Sequence, residues 1–297
     1  MPAKWTNKRT LLAACCLLMA IVLAVVLSKT VFRTADVTSS SDNGIELSTP
    51  TASPSSVNPS PSPTQDTCHD TRLVAPPEDT AEKLEKIAAD HGVTMEAAWY
   101  DPEKGVVRVG EKNGLPAWST IKVPIALAIA QQGKGDEMAG AISASLRDSD
   151  NDTAAQLWSA LSGSQFERTQ IVDNLFVSLG DETTKIDGQG YFGISLWDVA
   201  DQVTFLKQMP CVSGADQIIG DMSNIREDLR WGIGQLPNPV FKGGWGIDNG
   251  VYTSRQLGWF TTEDGDRVLL AIALSCPDHE TGSKALTEMA KAFAKDS

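Results

Sequence analysis

The chain has 297 residues, 41% of them hydrophobic and 21% charged, which is ordinary globular material for one sizeable domain plus extras. Its net charge is −13, and residues 1–33 hold Lys4, Lys8, Arg9, Lys29 and Arg33 with no acid, so residues 34–297 carry −18. A surface of that sign repels polyanions and argues against nucleic acid as a partner.

The N-terminus opens on a basic head, followed by 17 uninterrupted apolar residues from Leu11 to Leu27. A membrane span needs roughly 17–25 such residues, more than a cleavable signal core usually has. Residues 1–28 are therefore expected to form a cytoplasmic head and transmembrane anchor. The three head cations set the domain outside the cell membrane. "LAAC" at 12–15 resembles a lipoprotein box, but the apolar run continues beyond Cys15. Residues 29–76 are rich in Ser, Thr and Pro and read as a solvated linker. Residues 77–297 form the folded domain. Cys68, Cys211 and Cys276 permit three disulfide pairings and show no CxxC spacing, and no motif for a metal or cofactor is present.

Within the domain, 79–92 has helical spacing with Gly92 as a stop, and 93–101 with 105–110 reads as a hairpin. A helix is expected from Thr120 onward. Helices follow on either side of "DSDND" (148–152), then at 165–180 and 195–208. Residues 239–246, 251–262 and 266–276 read as antiparallel strands, and a last helix is expected from about Ser283. The fold class is α+β. One antiparallel sheet is built from both chain ends and flanked by the first and last helices, with an all-helical subdomain inserted between them.

Three motifs stand in order: Ser119-Thr-Ile-Lys122, Ser149-Asp150-Asn151 and Lys242-Gly243-Gly244. Each alone is weak; Asn151 or Asp152, for example, would serve as an ordinary helix cap. Together they sit on a helix start, an interhelical turn and a late strand. A serine at a helix start sees the positive end of the dipole, and a lysine one turn on shares its face. A desolvated lysine can lose its proton and act as a base for that serine.

This set resembles the serine β-lactamases and penicillin-binding proteins over about residues 79–297, most closely the class A β-lactamases. The resemblance implies Ser119 as nucleophile, Lys122 as its base, Ser149 as a proton relay and Lys242 as a source of positive potential. It further implies Asn151 as a holder of a substrate amide, and Gly244 with Trp245 at an oxyanion hole shared with the Ser119 N–H. Arg255, in "VYTSRQLGWF", would anchor a substrate carboxylate. The chain departs from the family pattern at Gly243, where a hydroxyl residue is usual, and at Trp118, directly before the nucleophile. It also lacks the family's Glu-x-x-Leu-Asn loop; Glu182 reads as an exposed turn acid. The expected function is a membrane-tethered serine hydrolase or acyl-transfer enzyme with weak deacylation. Its substrate would be a small-molecule or peptide acyl compound, such as a peptidoglycan stem or a β-lactam. The alternative is a catalytically silent binding or scaffold domain of the cell envelope.

Overall fold

The computed structural model describes residues 71–112, 114–188 and 191–294. The expected anchor, Cys68 and all of the stalk before residue 71 lie outside the described residues. Among the described residues, no helix is long and apolar enough to cross a membrane. The folded body begins ahead of the expected boundary at 77. Val74 N donates to Arg267 O at 2.9 Å, and Arg267 N donates to Arg72 O at 2.9 Å, because Leu73 and Val74 are apolar enough to be drawn onto the core.

Five antiparallel strands form one sheet in the order β2-β1-β5-β4-β3. They are β1 (Thr94–Asp101), β2 (Gly105–Gly110), β3 (Val240–Asp248), β4 (Val251–Thr261) and β5 (Arg267–Cys276). The two ends of the chain thus share a sheet, with β1 paired to β5. Period-two alternation divides β5 between two cores. Leu270, Ile272 and Leu274 face α1 (Thr80–His91) and the last helix, whereas Leu269, Ala271 and Ala273 face the helical subdomain.

The subdomain holds α2 (Lys122–Ile129), α3 (Ala139–Arg147), α4 (Asn151–Ala160), α5 (Gln165–Ser178), α6 (Val199–Gln208) and α7 (Ala215–Ser223). All eight residues of α2 are buried. A helix apolar around its whole circumference belongs at the centre of a core, and a lysine at its head is then desolvated.

Capping explains where helix starts differ from expectation. The last helix, α8, runs His279–Ala292 and begins earlier than Ser283, because the Asp278 carboxylate accepts from Thr281 N at 2.8 Å. Asp198 accepts from Ala200 N at 2.8 Å and starts α6 at Val199, leaving Ser195–Trp197 outside the helix. Gly92 ends α1 with a left-handed φ of 62°, as its sequence position predicted. Cys211 is disulfide-bonded and Cys276 is a free buried thiol, so both pairings that use Cys276 fall away.

Candidate active site

Ser119 does not open an α-helix directly. It lies in a tight 3₁₀ turn, Trp118–Ile121, and the α-helix begins at Lys122. Trp118 enters this turn with a φ of 48°, a left-handed value that costs a bulky residue about 1–3 kcal/mol. Strain of this kind persists only where surrounding contacts enforce it. Here the Trp118 indole lies along β3: a Cβ on Gly246 would stand 2.7 Å from its ring carbons.

Lys122 is 2% exposed, and its Nζ donates to Ser149 O (2.6 Å), Asp150 O (3.1 Å) and Asn151 Oδ1 (2.8 Å). Burial brings its pKa down to about 8, against a smaller opposing pull from the Asp150 carboxylate. Asp150, rather than Asn151 or Asp152, caps α4: its side chain accepts from Thr153 N at 2.7 Å. That leaves the Asn151 amide free to turn towards Lys122.

Ser149 also holds a left-handed backbone, at φ 57°. In this conformation its carbonyl meets Lys122 while its Oγ accepts from Lys242 Nζ at 2.9 Å. Lys242 is 2% exposed, and its Nζ also donates to Gly243 O at 2.9 Å. Burial, aided by the nearby Lys122 charge, lowers its pKa well below the usual lysine range. Ser149 thus joins the two lysines.

β3 is an edge strand, and its main chain closes on the Ser119 turn. A Cβ on Gly244 would lie 2.8 Å from Ser119 N and 3.0 Å from Ala117 O, so the approach admits only glycine. The structure therefore brings Lys122, Ser149, Asn151 and Lys242 into one hydrogen-bonded cluster, and sets Gly244 against Ser119. Trp245 follows Gly244 on the same edge strand, with its ring 6.0 Å from that of Trp231. Among the described residues, the Ser119 hydroxyl has no hydrogen-bond partner.

Arg255 departs from expectation. It faces the same side of the sheet as its cross-strand partner Gly244, but the subdomain covers that side. The side chain is 0% exposed, and it donates to Leu115 O (2.9 Å), Pro116 O (3.0 Å) and Trp197 O (2.6 Å). Burial lowers its pKa to about 10, although Glu96 and Asp198 pull it upward. Arg255 is a clamp on the chain leading to Ser119, and its placement leaves no guanidinium edge open to a substrate carboxylate.

Trp231 was not singled out by its sequence. Gln256 anchors its turn by donating to Trp231 O (2.7 Å) and accepting from Ile233 N (2.7 Å). A Cβ on Gly243 would meet the Trp231 ring at 3.4 Å, an ordinary van der Waals contact, so the indole flanks position 243. The loop between α5 and α6 is organised by Asp181, which is fully buried and accepts from Thr184 N (2.9 Å) and Trp197 Nε1 (3.0 Å). Glu182 is exposed. Among the described residues, no cluster of His, Cys, Asp and Glu could hold a metal ion. A cavity of about 410 Å³ lies elsewhere, between Arg72, Pro77, Pro237, Phe260 and Phe293, and no motif residue lines it.

Neither a protein-family model nor a curated protein matches the sequence. Solved structures do match. The TLA-3 extended-spectrum β-lactamase superposes with a TM-score of 0.61 at 18% identity, covering 72% of this chain and 97% of that one. The chain has the serine β-lactamase fold. A β-lactamase from Chitinophaga pinensis DSM 2588 gives 0.59 at 17% identity, covering 73% and 98%. A representative of class A β-lactamase from Bacteroides cellulosilyticus DSM 14838 gives 0.58 at 14%, covering 72% and 96%. Nearly all of each β-lactamase is thus matched, and the five-stranded sheet with its inserted helices is the expected α+β architecture.

Proposed function

We propose that the domain is a serine acyl-transfer enzyme that forms an acyl-enzyme at Ser119 and releases it slowly. It is tethered outside the cell membrane by Leu11–Leu27 and acts on an acyl compound of the cell envelope or on a β-lactam, the substrate class named for its structural neighbours. The observation that carries this reading is the placement of a partly exposed Ser119 one turn before a buried Lys122 whose pKa is about 8. At neutral pH roughly one-tenth of such a lysine is neutral and able to take a proton.

In the proposed reaction, Ser119 Oγ attacks the acyl carbonyl and Lys122 receives the hydroxyl proton. The N–H groups of Ser119 and Trp245 hold the oxyanion. Lys122 then returns the proton, through Ser149, to the leaving group. Slow release rests on the acids near this centre. Asp150 is the carboxylate that acts on Lys122, and it is occupied as a helix cap. The test is a burst experiment with an activated ester. About one equivalent of leaving group per enzyme should appear, followed by a slower steady rate; a linear trace from the start would remove the slow second step.

Acylation should rise with pH through about 8 and then level, because the neutral amine is the competent form and its proton is lost there. A rate flat between pH 6 and 9 would remove Lys122 as the base. Gly244→Ala should lower acylation by about 10²–10³-fold, the cost of losing one oxyanion donor, since the new methyl would push the Ser119 turn off β3. Unchanged rates in that variant would show that the oxyanion is held elsewhere.

A second reading, a silent binding domain, is favoured by one observation. All three Lys122 donors are spent on Ser149, Asp150 and Asn151, and none reaches Ser119. The same burst experiment separates the two, since a silent domain releases no leaving group.

A further inference from the structure

Three features around Ser119 bear on which acyl compound it takes. The first is that Lys122, Lys242 and Arg255 are all buried and already bonded within the protein. Arg255 is enclosed and donates to three backbone carbonyls. Lys122 and Lys242 are each 2% exposed and hydrogen-bonded to the Ser149 turn or to Gly243. Gly243 offers no hydroxyl, and its neighbour on that side is the apolar Trp231 ring, 3.4 Å from where a Cβ would stand. A carboxylate brought to this strand would lose its water for at most the third Lys242 donor, on a side chain that is 2% exposed. The chain's net charge of −13 would oppose its approach as well.

The second feature is an apolar rim. The turn Phe192–Ile194 packs against the Ser119 turn, and a Cβ on Gly193 would lie 3.7 Å from Trp118 Cα. Phe192 anchors this turn on Trp158, with ring centroids 5.8 Å apart. Its neighbours point outward: Tyr191 is 74% exposed, Ile194 42% and Leu196 57%. Leu196 is bridged to Pro116, three residues before the nucleophile. Three large apolar side chains are thus exposed within six residues, on the segment that packs against the Ser119 turn.

The third feature is the Trp118 indole, whose Nε1 is buried without a partner while its ring lines β3. The strand edge beside Ser119 is thus walled by an aromatic ring.

We infer that Ser119 takes a neutral ester or thioester of an aliphatic acid, with no carboxylate on the leaving group and with the acyl chain lying on the Tyr191–Leu196 rim. This inference rests on the Ser119 acyl-enzyme reading above and departs from it on substrate: β-lactams and peptidoglycan stems, whose leaving groups are amines that carry a carboxylate, fall outside the class. The step balances as a simple transfer. The Ser119 Oγ–acyl bond forms and the acyl–OR′ bond breaks (acyl–SR′ for a thioester, which releases R′SH in place of R′OH). The serine proton leaves with R′OH by way of Lys122, and water later releases the free acid.

The test uses the purified domain-bearing chain and two matched octanoyl esters, of 3-hydroxybenzoic acid and of its methyl ester. Their leaving groups differ by one carboxylate. The neutral ester should acylate Ser119 at least about tenfold faster, and octanoyl should exceed acetyl on the same leaving group by a similar factor. Ile194→Ser with Leu196→Ser, both at exposed positions, should reduce the octanoyl rate about fivefold or more and lower the octanoyl-to-acetyl ratio of rates with it. If the carboxylate ester reacts as fast or faster, or if acetyl matches octanoyl, the substrate class is wrong while the Ser119 acyl-enzyme stands. If no ester acylates Ser119, the acyl-enzyme reading fails and this inference fails with it.

Discussion

Lys122→Arg should keep a cation at the head of α2 and lose about 10²–10⁴-fold in the rate of Ser119 acylation. The expected size is that of a general acid–base group. The sign follows from proton affinity. Burial brings the lysine to about pKa 8, within reach of neutrality, whereas an arginine holds its proton far more tightly and stays charged even when desolvated. Electrostatic help to the oxyanion would survive the exchange; proton abstraction would not. The guanidinium is also larger than the ammonium in a site that is 2% exposed, so the thermal midpoint must be measured alongside. A folded variant that acylates within threefold of the parent would remove Lys122 from the mechanism.

Arg255→Ala should act on stability before it acts on substrate choice. The substitution leaves Leu115 O, Pro116 O and Trp197 O without their donor, and empties the volume of a fully buried side chain. Orphaned buried acceptors cost about 1–3 kcal/mol each, and large-to-small core changes add a cavity cost. Removing a buried cation returns part of this, because burial already weighs on the Arg255 charge. The net expectation is a loss of about 3–5 kcal/mol, which lowers the thermal midpoint of a domain of this size by about 10 °C. Arg255→Met, which keeps most of the volume, should lose less. A variant with an unchanged midpoint that fails only on carboxylate-bearing substrates would restore Arg255 to the role of anchor.

The burial of one of these two residues could be read from the sequence, and that of the other could not. Lys122 was legible because its neighbours in α2 are uniformly apolar, so its burial follows from the helix that carries it. The Ser149–Asn151 turn was legible from two helical patterns broken by cap-forming residues, although the cap itself is Asp150. The sheet was legible because Leu269–Leu274 is an unbroken apolar run with turn signals on both sides.

Arg255 was misread for a reason intrinsic to strands. Alternation assigns it to the face of Leu257 and Trp259, but whether that face is open at position 255 depends on distant chain. Leu115, Pro116 and Trp197 close it from 140, 139 and 58 residues away. Trp231 was invisible for a related reason. Its effect on Gly243 arises from the hold of Gln256 on a turn that has no periodicity of its own. The strained φ values of Trp118 and Ser149 leave no compositional trace, since neither residue type favours a left-handed backbone.

The central claim, a nucleophilic Ser119 activated by Lys122, is tested most directly by mass spectrometry of the protein after exposure to an activated neutral ester. The account predicts a single acyl adduct, mapped by peptide analysis to Ser119, forming faster as pH rises through about 8 and absent from Ser119→Ala. An adduct that persists in Ser119→Ala, or an intact parent protein that gains no mass under the same exposure, would contradict it.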